Sequence, residues 1–144
     1  MHRILSDMFS ITSLHARERG RPRLWISAPV IYGMVLPIAF LDVATRAYQT
    51  ICFNAYGIPK VDRRKYVRLM PRGKGMLPRM DRVNCLYCAY ANGVLAFVTA
   101  VAGETEKYWC PIRHRVRKDF VPPAHHRGFV EDGDEAALKE VLQK

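Results

Sequence analysis

The chain has 144 residues, with 23 Lys and Arg against 13 Asp and Glu, for a formal charge of +10. This length suits one domain rather than two, and 49% hydrophobic residues exclude a wholly disordered chain. The excess of positive charge predicts a polyanionic neighbour, for which nucleic acid, anionic lipid and an acidic protein are the candidates. The beginning of the sequence lacks the pattern of a signal peptide, so those of its four cysteines that are closely spaced are interpreted as metal ligands rather than as disulfides.

Residues 1–23 are polar and basic and are expected to form a tail. The next segment, Leu24 to Leu41, has no charged residue. As a helix it would reach ~27 Å, just short of a hydrocarbon thickness of about 30 Å. Pro29 and Pro37 each remove a backbone donor and predict a kink or break. Three interpretations stay open: a short spanning helix, a re-entrant or surface-lying segment, and a buried helix of a soluble domain. The first two make membrane association the favoured prediction.

Residues 24–56 are predicted to form membrane-associated helices. Within them, residues 42–56 have helical spacing of apolar positions, with Asp42 as the expected N-cap and Gly57-Ile58-Pro59 as the stop. A basic connector is expected over residues 57–83, with a short strand at Tyr66–Leu69. The residues predicted to bind anionic lipid headgroups are Arg19, Arg21, Arg23, Arg63, Arg64 and Lys65.

A metal-binding module is predicted over residues 84–118. Its four ligands form two chelating pairs, Cys85-x2-Cys88 and Cys110-x3-His114. The second pair would lie on one face of a helical turn, with Pro111 at the first helical position. Together they make a Cys3His set, which is a standard tetrahedral zinc set with no open position, so the site would be structural. Iron, mononuclear or as [2Fe–2S], is the alternative cofactor.

The other cysteine and the remaining segments have simpler interpretations. Cys52 is expected to be a packing residue. The uncharged stretch Cys85–Gly103 is expected to be mostly helical. The tail from residue 119 to residue 144 is expected to hold exposed His125 and His126 and a short C-terminal helix capped by Asp134.

Several short elements give a resemblance over about half of the chain. They are Tyr56-Gly57-Ile58-Pro59, Asn84-Cys85-Leu86-Tyr87-Cys88, Tyr90-Ala91-Asn92-Gly93 and Tyr108-Trp109-Cys110-Pro111-Ile112-Arg113-His114. In these elements the chain resembles a small uncharacterised group of bacterial proteins with YGIP, NCxYCxYANG and YWCPIxH patterns. This resemblance implies no activity.

Two better-known patterns also end in Cys-x3-His. CCCH nucleic-acid fingers space their three cysteines more evenly and have no apolar helix between them. CDGSH iron–sulfur proteins begin with Cys-x-Cys and have Asp-Gly after the third Cys, where this chain has Pro111-Ile112. Both patterns keep the alternatives to structural zinc open.

The predicted fold is mainly α, with an apolar, membrane-associated N-terminal helical segment and a small Cys3His metal-bound helical module. The predicted function is that of a small membrane-associated metal-binding protein, a non-enzymatic accessory or assembly component of a larger membrane complex, with structural zinc. An iron-containing electron-transfer protein and a zinc-containing nucleic-acid-binding module are the alternatives. The expected location is the bacterial inner membrane with the metal site on the cytoplasmic side, and the expected partners are anionic lipid and a protein of the complex.

Overall fold

The structure is a computed structural model that describes residues 21–70, 79–115 and 118–142. The described chain is mainly helical, as predicted. Its elements in order are α1 (Arg21–Gly33), α2 (Val35–Tyr48), a π-helical turn (Gln49–Phe53), an α-helical turn (Asn54–Tyr56), a 3-10 turn (Arg63–Lys65), α3 (Arg79–Trp109), a 3-10 turn (Ala124–Gly128) and α4 (Glu135–Leu142).

The apolar N-terminal segment folds as α1 and α2, which meet at Met34. Pro37 explains the interruption there, because it has no N–H to donate to the carbonyl of Gly33, four residues earlier. Hydrogen bonds from Met34 N–H to the Val30 carbonyl and from Ile38 N–H to the Met34 carbonyl, both 3.3 Å, keep the two helices nearly continuous. Pro29 lies inside α1. Both prolines predicted a kink or break, and the helix is interrupted near Pro37 but not at Pro29.

The first helical region ends at Tyr56, as the sequence predicts. Gly57 has a left-handed backbone with φ of 68°, and Ile58 N–H donates to the Phe53 carbonyl at 2.9 Å. This is the hydrogen-bond pattern with which a glycine commonly ends a helix. The π-helical turn at Gln49–Phe53 was not predicted.

The chain divides into two compact units, each considered separately here. The first unit contains the described residues up to Ala44, together with Asp62–Phe97. The second unit contains Thr45–Val61 and the described residues from Val98 onward.

The core of the first unit is apolar except for one ion pair. Ile38, Val67, Val94 and Phe97 are buried. Asp42, in the middle of α2, is only 3% exposed. Its prediction as an N-cap is wrong, because α2 begins seven residues earlier and the carboxylate binds other side chains.

Two side chains bind the Asp42 carboxylate. Arg63 donates to both of its oxygens, from Nε at 2.8 Å and from Nη2 at 2.7 Å, and the Tyr90 hydroxyl donates at 3.1 Å. The hydrogen bonds to Asp42 raise the pKa of Arg63 above its ordinary value. Arg63 therefore stays charged at any ordinary pH, and its two bonds to Asp42 fix the loop after Val61 against α2.

The same loop lies against α3 at Gly93. A Cβ atom at this position would be 2.8 Å from the Tyr66 carbonyl oxygen and 2.9 Å from the Val67 Cα. The backbone can approach this closely only because residue 93 has no side chain. The predicted strand at Tyr66–Leu69 is wrong: these residues follow a 3-10 turn, and their backbone is packed on a helix without a neighbouring strand.

In the first unit, α1–α2 and α3 run in the same direction. Near their beginnings, the Tyr87 hydroxyl donates to the Ile31 carbonyl at 2.9 Å, and Tyr32 donates to Asn84. Further along both, Tyr90 contacts Asp42. The described part of the connection between them, the loop after Val61, contacts both helices, through Arg63 at Asp42 and through the backbone of residues 66 and 67 at Gly93.

The core of the second unit contains Phe53, Ile58, Val101 and Phe129. The side chain of Gln49, 8% exposed, donates to the Val61 carbonyl at 3.2 Å and accepts from its N–H at 2.9 Å. These two hydrogen bonds hold the segment after Gly57 against the helical region that precedes it.

Three boundaries can be compared with the sequence predictions. The helix α3 begins at Arg79, inside the predicted connector, and includes the whole of Cys85–Gly103, which was expected to be mostly helical. The predicted cap of the C-terminal helix is confirmed, since Ala137 N–H donates to Asp134 Oδ1 at 3.0 Å. The N-terminal tail up to Gly20 lies outside the described residues.

We expect Gly93→Ala to destabilise the protein by about 1–3 kcal/mol, because the new methyl group overlaps the backbone of residues 66 and 67. Urea unfolding followed by circular dichroism measures the change. The matched control is Gly33→Ala, where a Cβ meets nothing within 4 Å and the substitution should be neutral or stabilising by up to ~1 kcal/mol. Equal midpoints for the two variants would contradict the close packing at Gly93.

Candidate functional site

The four predicted metal ligands lie in different parts of the fold. Cys85 and Cys88 are in the first third of α3 and belong to the first unit, where their side chains are half-buried and exposed, respectively. Cys110 and His114 follow the end of α3, belong to the second unit, and are both exposed.

The helix α3 is unbroken from Cys88 to its last residue, Trp109. The two predicted chelating pairs therefore stand at either end of a continuous helical segment, and they belong to different units. The structure does not show the Cys3His module, which stays a prediction.

The expected helical turn at Cys110–His114 is also absent. Cys110 N–H makes the final helical hydrogen bond, to the Glu106 carbonyl at 2.7 Å. The chain is then extended, and Ile112 forms a parallel bridge with Val130. Pro111 follows the end of a helix instead of beginning one.

His114 instead belongs to a different cluster, which we call the Glu106 cluster: Glu106, His114, His125 and His126. Glu106 Oε2 is 2.7 Å from His125 Nε2, and Glu106 Oε1 is 2.9 Å from His126 Nε2. His114 Nε2 lies 3.8 Å from the same Oε1. Three imidazoles thus converge on one carboxylate.

The cluster is buried on one side and open on the other. The side chain of His126 is 3% exposed, those of His125 and Glu106 are 25% and 31% exposed, and that of His114 is 65% exposed. Both His125 and His126 were expected to be exposed, and this prediction is wrong, because His126 is buried and His125 is half-buried. The His126 ring stacks on Phe129 with centroids 5.0 Å apart, which accounts for its burial.

Glu106 is the electrostatic centre of the cluster. The hydrogen bond from His125 holds the pKa of Glu106 below its ordinary value, against the opposing effect of partial burial, and the bond from His126 adds to the lowering. The carboxylate is therefore ionised at neutral pH. Each imidazole presents its Nε2 to this negative charge.

Arg113 fixes the segments that hold the histidines. Its Nε donates to the His126 carbonyl at 2.9 Å, its Nη2 to the Arg127 carbonyl at 2.9 Å, and its Nη1 to Glu131 at 2.6 Å. The planar guanidinium can make these bonds together because its donors form a rigid fork. On the opposite side, a Cβ at Gly103 would lie 3.0 Å from the His125 ring, so the glycine lets His125 rest on α3.

The predicted lipid-binding residues occupy different environments. Arg63 is paired with Asp42, and its side chain is only 31% exposed. Arg64 and Lys65, which follow it in the 3-10 turn, are exposed. Arg19 lies outside the described residues, as do the side chains of Arg21 and Arg23.

The sequence analysis missed Glu106 and assigned no role to His125 and His126. The signal that was available is the pair of adjacent histidines after Pro122-Pro123, about 20 residues beyond a carboxylate at the end of a long helix. The spacing of these residues along the sequence does not show that the segment with the two histidines folds back onto the end of that helix.

Comparisons with protein-family models, with curated proteins and with solved structures find no match to this chain. The resemblance based on the YGIP, NCxYCxYANG and YWCPIxH elements therefore stays a prediction.

We expect Arg113→Lys to loosen the turn that holds His125 and His126, because a lysine cannot replace the two bonds to backbone carbonyls. Amide hydrogen exchange over residues 126–130 should become about tenfold faster, as expected for a loss of ~1–1.5 kcal/mol. Arg115→Lys is the matched control, since Arg115 pairs with Asp132 at a side chain that is 83% exposed. Equal protection in both variants would show that Arg113 does not fix this turn.

Proposed function

We propose that this protein is a non-enzymatic accessory protein that attaches to the surface of an anionic membrane through α1 and the first half of α2. The observation that supports this proposal is the distribution of side chains on α2, which buries mainly polar residues and exposes large apolar ones. Its buried positions, three or four residues apart, are Ile38, Asp42 and Thr45, and Gln49 continues the series in the π-helical turn that follows. Its exposed positions include Leu36, Phe40 and Val43, at 73%, 75% and 56% exposure. A helix of a soluble protein normally has the opposite arrangement.

The exposed apolar surface continues onto α1, where Ile26 and Val30 are 73% and 71% exposed. We call these five residues, Ile26, Val30, Leu36, Phe40 and Val43, the apolar stripe. Burying a side chain of this kind is worth ~1.5–3 kcal/mol, so leaving all five in water is costly. Contiguous exposed apolar surface of this type marks an interaction site.

Length and composition are compatible with lipid as the occupant. The helices Ile26–Tyr56 and Arg82–Trp109 are both long and apolar enough to cross a membrane, by length and composition alone. Only 6% of the most apolar window of the first is buried, against 22% for the second. The apolar surface of the first helix is therefore the less covered of the two.

The fold favours a helix that lies in the membrane surface over one that spans it. Because α1–α2 and α3 run in the same direction, the connection between them must return along both helices. Its described part has the exposed basic residues Lys60, Arg64, Lys65 and Arg68. In a spanning arrangement these charges would have to enter the hydrocarbon, at a cost of ~2.5 kcal/mol or more for each at the bilayer centre.

The in-plane arrangement puts these charges in water. The loop covers the buried face of α2 through Asp42 and Gln49, so the apolar stripe faces away from it. A helix with side chains is about 10–12 Å in diameter, close to the Debye length of ~8 Å at physiological salt. The basic side chains can therefore still attract anionic headgroups, each by up to ~1 kcal/mol.

The finer parts of the predicted function rest on the sequence alone. They are the protein partner in a membrane complex, the bacterial inner membrane, the cytoplasmic side and a Cys3His centre with zinc or iron. Nucleic-acid binding through the basic loop is the competing use of the same charges. The apolar stripe favours lipid, because nucleic acid offers no apolar surface of matching extent.

We expect the full chain to bind vesicles that contain anionic lipid, and Leu36→Ser combined with Phe40→Ser to weaken that binding at least tenfold. Two large side chains would lose most of their transfer free energy, about 3–5 kcal/mol together. Vesicle sedimentation measures the partition coefficient. The control is Val121→Ser, which removes a side chain that is 88% exposed outside the stripe and should leave binding unchanged.

Two results would contradict the proposal. One is vesicle binding that the double substitution leaves unchanged. The other is a wild-type protein that ignores vesicles and forms a dimer which the double substitution dissociates, because a second copy of the chain would then cover the stripe.

A further inference from the structure

We propose that the Glu106 cluster is a binding site for one divalent transition-metal ion, with zinc as the ion it fits best. The site uses His114 from the predicted set but none of the cysteines. It does not depend on membrane attachment, because the apolar stripe has no residue in common with it.

The distances are those of a site that needs little rearrangement. One ligand atom each from Glu106, His114 and His126 lies within 4.8 Å of the other two. Zinc holds imidazole nitrogen at ~2.0–2.1 Å, so the ligand atoms of a tetrahedral site are about 3.3 Å apart. Rotations of the exposed His114 side chain and of the carboxylate are sufficient to close the difference.

His125 lies beside this group of three and is the candidate for a fourth ligand, although its ring nitrogen is not among the atoms that lie within 4.8 Å of one another. Its Nε2 is already 2.7 Å from Glu106 Oε2, on the other oxygen of the carboxylate. Three neutral imidazoles and one carboxylate form a donor set that suits zinc and other first-row divalent ions, and not the harder magnesium or calcium. The set also has an overall charge of −1, which a divalent cation would offset.

The supporting structure is largely preformed. Glu106 is on the last turns of α3, His125 and His126 are on the 3-10 turn Ala124–Gly128, and His114 is on the extended segment between them. The Ile112–Val130 bridge and the bonds from Arg113 hold the second and third of these segments together. Binding an ion therefore requires little ordering of the chain. The free-energy cost of such ordering normally weakens metal affinity, and here it is small.

The burial of His126 leaves one of its ring nitrogens without a hydrogen bond. Its Nδ1 is buried without a hydrogen-bond partner, so the ring has one polar contact, at Nε2. A simple hydrogen-bonded histidine at 3% exposure would ordinarily have both nitrogens satisfied. An ion bound at Nε2 would not satisfy Nδ1, but the free energy of its bond would offset the cost of that unsatisfied atom.

A protein without an affinity tag, stripped with a chelator and titrated with zinc chloride in a calorimeter, tests the proposal. We expect one zinc per chain, with affinity reduced at least 100-fold by Glu106→Gln and at least tenfold by His114→Ala. His114 is 65% exposed, so its replacement leaves the fold intact even if the Glu106 variant unfolds. The matched control is Glu104→Gln, two residues earlier on α3, which should bind zinc as the wild type does.

The cysteines give the decisive comparison with the Cys3His prediction. A Cys85→Ser and Cys88→Ser variant should bind zinc with unchanged affinity, and the cobalt form should lack the intense thiolate charge-transfer absorption. No zinc binding by the wild type, unchanged binding by Glu106→Gln and His114→Ala, or loss of binding in the cysteine variant would each overturn the proposal. The first of these results would mean that the cluster is a hydrogen-bond network only.

Discussion

The ion pair between Asp42 and Arg63 determines which face of α2 is buried. A carboxylate that is 3% exposed is stable only with its partners in place, since an isolated buried charge costs several kcal/mol. Arg63 and Tyr90 supply those partners, so α2 must turn Asp42 toward the loop and toward α3. The next turns of the helical region keep this orientation, and there the Gln49 side chain hydrogen-bonds to the backbone of Val61. The apolar residues at Leu36, Phe40 and Val43 are consequently left on the outside.

The orientation of α2 links the ion pair between Asp42 and Arg63 to the proposed membrane attachment. The loop that supplies Arg63 is also the loop that contacts Gly93, so its path along both helices is fixed at two points. In the proposed attachment, this polar, basic segment stays out of the hydrocarbon, where each of its charges would be costly. It is well suited to the water side of a helix that lies in the interface, where the opposite face enters the lipid.

Local signals in the sequence predicted the elements, and distant contacts determined the sites. The stop at Gly57, the break associated with Pro37 and the cap at Asp134 each depend on residues within a few positions of one another, and all three are present. Asp42 was misassigned because its partner is 21 residues away. The metal prediction placed a long helix between two chelating pairs; that helix is present, but the structure does not show the four ligands as one site. Glu106 and His126 are 20 residues apart, and only the tertiary fold brings them together.

The depth of α1 and α2 in a bilayer tests the central claim most directly. Nitroxide labels on Val30→Cys, Leu36→Cys and Phe40→Cys, each in a chain with its native cysteines replaced, report depth through their collision rates with oxygen and with a water-soluble nickel complex. An in-plane helix predicts three similar depths, about 5–10 Å below the headgroups. A spanning helix would rise ~15 Å between the first and last label, so that their depths differ widely and one approaches the bilayer centre. That second pattern would contradict the account, as would labels that remain in water when anionic vesicles are added.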